Sequence, residues 1–199
     1  MCLVLKIKTL RDVYEPAEDS FLLAKHAKKL NGRILEVGCG CGIVSLECAF
    51  SNPKNIVEGV DINRKAVALA KENAKENNIK NARFYYSNLF SKVKGKFDWI
   101  VFNPPYLPTA KEEKIRGKIN LAFDGGRSGL EIIEKFARGA VRHLKKNGGL
   151  LVIASSLAAE GNGIEEAVRM LNKNGFKVDV IEEQSFFFER IALLRAMRS

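Results

Sequence analysis

Long apolar runs are missing from this chain. The longest, residues 149–159, is interrupted by Ser155 and Ser156 and falls short of the roughly 20 apolar residues that a membrane-spanning helix requires. No charged start, apolar core and small-residue cleavage site follow Met1, so no export signal is expected, and the expected compartment is the cytoplasm. Cysteine is scarce. Cys2, Cys39, Cys41 and Cys48 form no Cys-x-x-Cys pair, which argues against zinc or dithiol chemistry, and they are expected to be reduced and structural. His26 and His143 stand far apart in lysine-rich stretches, so no metal site and no acid–base pair is expected from them. Repeats and low-complexity tracts are also absent.

What is present is the composition of an ordinary globular protein, 46% apolar over 199 residues. That length suits one domain, 1–199, in which about 70% of the unfolded surface is buried, with 1–32 as an N-terminal extension and helix packed on it. The formal net charge of +10 raises the local concentration of acidic partners such as RNA, or of proteins that work on the ribosome. A lysine-rich solvated surface accounts for it equally well.

Along the chain, helical and strand-like spacings of apolar residues alternate. A helix is predicted over 17–30, stopped by Asn31-Gly32. Strands are predicted over 33–37, 56–60, 82–86 and 97–102. Helices are predicted over 43–50 and after an Asn63 cap, where Ala66, Val67, Ala70 and Ala74 recur at helical spacing. After a long loop come a helix over 129–146 closed by Asn147-Gly148-Gly149, a strand over 150–154 and a helix over 164–172. Two last strands, 176–182 and 189–196, lie close enough for an edge hairpin. The pattern specifies an α/β fold with a mainly parallel sheet covered on both faces and ligands bound beyond the carboxyl ends of the strands, where strand order reverses.

Asn103-Pro104-Pro105-Tyr106 directly follows the apolar run 97–102 and is the most informative stretch of the chain. The two prolines stiffen the segment, so that the Pro104 carbonyl and the Asn103 side chain, both acceptors, aim at one point. A primary amide or aromatic amine has two coplanar N–H donors, and holding both orients its lone pair for attack. Tyr106 is placed to stack on that flat group. The chemistry this suits is methylation of a planar nitrogen.

Glu36-Val37-Gly38-Cys39-Gly40-Cys41-Gly42 lies where the first strand turns into its helix, and its glycines let the backbone approach a nucleotide-like ligand. The spacing G-x-G-x-G lacks the dinucleotide G-x-G-x-x-G, which lowers NAD as a candidate. Asp61, at the end of the second strand, can accept both hydroxyls of a ribose, and Glu36 can approach a cationic part of the ligand. After the third strand, Asn88 can bond an adenine edge and Leu89 can cover its face; as a simple turn residue Asn88 is equally well explained. S-adenosyl-L-methionine fits these features, having a ribose, an adenine and a cationic end but no phosphate. With the fourth strand beside the first, Asn103 is expected next to Gly38 and Gly40.

These motifs, with Tyr14-Glu15-Pro16-Ala17-Glu18-Asp19-Ser20-Phe21-Leu22-Leu23 and Asp124-Gly125-Gly126-Arg127-Ser128-Gly129, resemble the HemK-like release-factor glutamine methyltransferases, above all their short archaeal and eukaryotic branch. The likeness runs from Tyr14 to the last strand. It implies a Rossmann-like class I S-adenosylmethionine-dependent methyltransferase with a seven-stranded sheet. It also implies N5-methylation of the glutamine in the Gly-Gly-Gln motif of a class 1 peptide chain release factor. Cofactor contacts from Ser20, Glu36, Gly38, Asp61, Asn88, Leu89 and Asn103 follow from the resemblance, as does an amide grip by Asn103, Pro104, Pro105 and Tyr106. Where relatives often carry Asp, this chain has Asn88, which keeps an acceptor and loses a charge. The helical domain that bacterial relatives place at the N-terminus has no room here. Eukaryotic relatives pair along a sheet edge with a small zinc-binding activator, and the expected edge strand carries Phe84, Tyr85 and Tyr86, which invites such a partner. Aromatics packed under a helix are the alternative.

The basic stretch 107–123 has the length of a lid. Ser155 and Ser156 end a strand where they can reach substrate, although a turn explains them, and Trp99 is accounted for by burial in its strand. Phe186, Phe187 and Phe188 connect the last hairpin, either over the active site or capping the core. The competing activities are nucleic-acid amino methylation, at adenine N6 or guanine N2, protein lysine methylation, and a silent cofactor-binding scaffold.

Overall fold

The computed structural model describes residues 5–106 and 130–198. The expected lid 107–123, the motif Asp124 to Gly129 and Cys2 lie outside the described residues. Within them the elements run α1 Glu18–Ala27, β1 Arg33–Val37, α2 Ile43–Ser51, β2 Ile56–Asp61, α3 Arg64–Glu76, β3 Ala82–Tyr86, β4 Phe97–Phe102, α4 Glu131–His143, β5 Leu144–Ser155, α5 Gly163–Lys173, β6 Phe176–Ser185 and β7 Arg190–Arg198. A short 3-10 turn, Ala159–Gly161, leads into α5.

The seven strands form one sheet in the order β3-β2-β1-β4-β5-β7-β6. β1 pairs in parallel with β2 on one side and β4 on the other, so strand order reverses between β1 and β4. β7 inserts antiparallel between β5 and β6, which makes the last hairpin an edge, as its sequence spacing predicts. Side chains alternate across the sheet. Leu35, Val37, Ile100 and Phe102 face α4 and α5, whereas Ile34, Val101, Leu151 and Ile153 face α1 and α2.

Each covering helix presents one apolar face. In α4, Ile133, Phe136, Ala137 and Ala140 are buried at helical spacing, and the Phe136 ring stacks on Phe102 with centroids 4.5 Å apart. Burying a ring of that size contributes about 1.5–3 kcal/mol. In α1, Leu22, Leu23 and Ala27 do the same against α2 and β5. α3 begins where predicted, because Asn63 Oδ1 accepts the Lys65 N–H at 3.0 Å while its Nδ2 donates to the Asp12 carbonyl at 2.8 Å.

One expectation fails, and one open alternative is decided, at particular residues. The helix predicted to reach 146 ends at His143, and β5 starts at Leu144. Leu144 is fully buried opposite Phe97, so the chain leaves the helix early to seat it, and Asn147 at φ +64 with Gly148 becomes an irregularity within the strand. At the aromatic edge the alternative holds for Phe84 alone. β3 is indeed an edge strand, yet Phe84 is only 4% exposed and packs with Val67, Ala70 and Ala74 of α3. Gly59 on the neighbouring strand makes room for it, since a Cβ there would lie 2.5 Å from the Phe84 ring. Tyr85 turns to the opposite face and donates to Glu58 at 2.8 Å, and Tyr86 lies under the Arg64 guanidinium.

Candidate active site

At the carboxyl ends of β1, β2, β3 and β4 a cavity of about 630 Å³ opens beside the switch in strand order. Ser20, Glu36, Gly38, Gly40, Asp61, Asn88, Leu89, Asn103, Pro104, Pro105 and Tyr106 all line it, so the two motifs singled out in the sequence meet in one place.

The β1–α2 turn forms one wall. Gly38, Gly40 and Gly42 have φ of +69°, +53° and +88°, the left-handed region in which a side chain is strained. A Cβ on Gly38 would also touch the Phe102 ring at 3.4 Å and come within 3.9 Å of the Asn103 carbonyl, which puts Asn103 against this turn as chain order predicts. Asp61 braces the turn. Its Oδ2 accepts the Gly40 N–H at 2.9 Å and its Oδ1 the Asn63 N–H at 2.7 Å. Burial raises the Asp61 pKa, and these two N–H donors work against that rise.

Glu36 lies deeper, 4% exposed, and its Oε2 accepts both the backbone N–H of Ser45, at 2.9 Å, and the Ser45 hydroxyl. Burial pushes its pKa up to about 8, with a further upward push from the Asp61 charge, against the two bonds from Ser45. Beyond β3, the Ser87 hydroxyl locks a turn by donating to the Leu89 carbonyl at 2.8 Å and accepting the Lys92 N–H at 3.0 Å. Leu89 is held there at φ +46°, a cost met by surrounding structure and commonest at binding sites.

At the acceptor wall, Asn103 Oδ1 is buried and has no hydrogen-bond partner among the described residues. An acceptor left in that state costs about 1–3 kcal/mol, so the position is poised for a donor that arrives with a ligand. Tyr106 points its hydroxyl at Asp19 Oδ2, 3.5 Å away, and the Tyr14 hydroxyl donates to the same oxygen at 2.9 Å. Burial and then the Asp19 charge push both phenol pKa values well above the ordinary tyrosine value. The other Asp19 oxygen accepts from the backbone and hydroxyl of Ser20. Glu189 completes this side, with its carboxylate taking the Ser155 hydroxyl at 2.6 Å and its charge adding to the upward push on the Tyr106 phenol.

Asp19, Ser45 and Glu189 were not singled out by the sequence. Asp19 lies within the Tyr14 to Leu23 motif, whereas Ser45 and Glu189 meet their partners only through the fold. Cys39, Cys41 and Cys48 are buried free thiols, and burial pushes that of Cys41 up to about 11, which fits packing and not reactivity.

The residues present suit S-adenosylmethionine: a glycine turn without side chains, a braced carboxylate, a buried carboxylate facing a cavity, and an unpaired amide oxygen across from them. The sequence profile of the Methyltransferase small domain family matches residues 14–180. A protein of Methanocaldococcus jannaschii named as a putative protein N5-glutamine methyltransferase is 46% identical over 195 residues, covering 98% of this chain and 96% of its own. The release factor glutamine methyltransferase of Aquifex aeolicus is 36% identical over 159 residues, covering 76% of this chain and 54% of its own. Among solved structures, the E. cuniculi Mtq2–Trm112 complex, responsible for methylating the termination factor eRF1, superposes with a TM-score of 0.68 at 22% identity, over 94% of this chain and 99% of that one. The chain belongs to the methyltransferase small domain family, within its HemK-like glutamine methyltransferases, which use S-adenosylmethionine as methyl donor.

Proposed function

We propose that this enzyme methylates the side-chain amide nitrogen of the glutamine in a Gly-Gly-Gln segment of a class 1 peptide chain release factor. The observation that carries this reading is the buried Asn103 Oδ1, without a partner among the described residues, on a proline-stiffened strand end across from the glycine turn. A glutamine amide offers the N–H that this oxygen lacks, and the Pro104 carbonyl is assigned the second. Tyr106 stacks on the amide plane, its orientation set by Asp19 and Glu189. So held, the amide is denied rotation, and its lone pair stays directed along one line. No base is assigned, because the nitrogen becomes acidic only as it gains the methyl and then releases its proton to water.

Gly38 and Gly40 are assigned to the close approach of the cofactor, Asp61 to the ribose hydroxyls, Asn88 and Leu89 to the adenine, and Glu36 and Ser20 to the cationic methionine end. Bound there, S-adenosylmethionine supplies an electrophilic methyl on a sulfonium that departs as a neutral thioether. Glu36, whose pKa burial pushes up to about 8, is assigned the ionised form opposite the cationic methionine end.

Two finer points belong to the same reading. A small zinc-binding activator is assigned to the free edge of β3, where Arg83 is exposed and Tyr85 and Tyr86 are half-buried; Phe84 takes no part. Full activity of the purified chain alone at low concentration would remove the need for it. With a translation factor as substrate, the enzyme is assigned to the cytoplasm. The positive charge favours RNA contact as well, and a nucleobase acceptor is the second reading.

Incubation with radiolabelled cofactor and either a release factor or bulk RNA, followed by mass spectrometry, tests the proposal. One methyl on the Gly-Gly-Gln glutamine is expected. Label in RNA alone, lost steeply with salt, would replace the glutamine with a base.

A further inference from the structure

The connection between β6 and β7 carries Phe186, Phe187 and Phe188, and it does not cap the core. Phe187 is 91% exposed and Phe188 82%, the barest large apolar side chains among the described residues. Their rings meet edge to face, with centroids 4.5 Å apart at 88°, so they present one preformed block. The backbone beneath is fastened. Phe186 N–H donates to the Glu189 carbonyl at 2.7 Å, and Ser156 N–H donates to the Arg190 carbonyl at 2.9 Å. Arg190 N–H returns to the Ser156 hydroxyl at 2.9 Å.

That block adjoins the acceptor wall. Glu189, next in sequence to Phe188, lines the same cavity as Tyr106, and so does Leu157, 37% exposed. A macromolecule that inserts an acceptor toward Asn103 passes over this rim. Exposed aromatic rings serve nucleobases and apolar protein surfaces alike; the charge around them decides. Residues 181–189 contain Glu182, Glu183 and Glu189 and no lysine or arginine. The cations beside these carboxylates are already paired, Arg190 between Glu165 at 3.4 Å and Glu183 at 3.5 Å and Lys25 with Glu182 at 2.8 Å. A phosphate backbone would meet carboxylates there, whereas an apolar protein surface edged with basic residues would be complementary.

We propose that Phe187 and Phe188 form the docking platform for the protein that carries the acceptor, gripping an apolar, basic-edged surface beside the methylated segment. The identity of that protein as a release factor rests on the glutamine reading; the platform itself rests on exposure, anchoring and charge. The test is the double variant Phe187→Ser/Phe188→Ser in the full chain, assayed for methyl transfer to an intact release factor and to a short Gly-Gly-Gln peptide, for direct binding of the release factor, and for binding of S-adenosylhomocysteine. The expected result is at least a tenfold weaker hold on the release factor, seen in Kd and KM, with peptide turnover and cofactor affinity changed less than twofold. Unaltered release-factor binding overturns the platform. Equal losses on protein and peptide, or a change in oligomeric state, overturn it as well, since the rings would then seat part of this chain or a second copy. A loss confined to RNA substrates also overturns it. Failure of the wild-type chain to methylate a release factor it still binds through these rings would refute the glutamine reading and leave the platform standing.

Discussion

The backbone N–H of Gly40 lies 2.9 Å from Asp61 Oδ2 and donates to it. This bond joins the turn after β1 to the tip of β2, so the element that admits the cofactor is shaped by the carboxylate assigned to its ribose. Asp61 also holds the Asn63 N–H at the start of α3. Replacing it by alanine therefore removes two anchors and one ligand contact. Asp61→Ala is expected to weaken S-adenosylhomocysteine binding by about 2–4 kcal/mol, thirtyfold or more, and to lower the melting temperature. Calorimetric titration and thermal melting check both.

Asn103 gives the opposite signature. Its amide oxygen has no partner among the described residues, so Asn103→Ala removes little that their packing depends on. Stability should change by no more than about 1 kcal/mol, and cofactor affinity should stay within about tenfold, roughly 1.4 kcal/mol. Methyl transfer should be abolished. Equal losses in binding and turnover, measured side by side, would refute the division of roles between Asn103 and the glycine turn.

Glu36 makes the cofactor-free chain sensitive to pH. Its pKa rises on folding from 4.5 to about 8, so the folded state holds a proton that the unfolded state has released. The contribution to stability is complete below pH 4.5 and drains away as pH climbs through about 8. Melting temperature should fall across that window, and Glu36→Gln should flatten the fall. Binding of a cationic ligand favours the carboxylate, so affinity for S-adenosylmethionine should increase over the same range, with proton release below pH 8 visible by calorimetry in buffers of different ionisation enthalpy.

Gly59→Ala tests the packing of the β3 edge. The new methyl would sit 2.5 Å from Phe84 Cδ1 and 3.1 Å from the Cys39 Cβ. A loss of about 1–3 kcal/mol is expected from overpacking, read as a lower denaturant midpoint. An exposed Phe84 would swing away, and stability would hold.

Much of the fold was legible in the sequence wherever local and tertiary preferences agree. From 33 to 102, buried apolar runs punctuated by Gly, Asn and Pro place β1 to β4, and chain order alone puts Asn103 beside Gly38. Legibility failed where a distant neighbour decides. Leu144 leaves its helix because Phe97 waits opposite it, and Phe84 is swallowed because Gly59, on another strand, has no side chain. Of the cavity wall, the glycines, Asp61 and Asn103 carry a local pattern. Asp19 and Tyr106, 87 residues apart, acquire their relation only when the start of α1 and the segment after β4 line one cavity.

The inserted antiparallel strand β7 has a consequence for how such an enzyme changes over time. Because β7 runs against β5, with Ser155 facing Ile191, the final hairpin turns at the cavity rim. Groups assigned to donor recognition sit mainly on one half of the sheet, from β1 to β3, and those that meet the incoming molecule gather on the other. Mutation can reshape the latter half while the former stays fixed, so a lineage can exchange one target for another without relearning how to hold its methyl source.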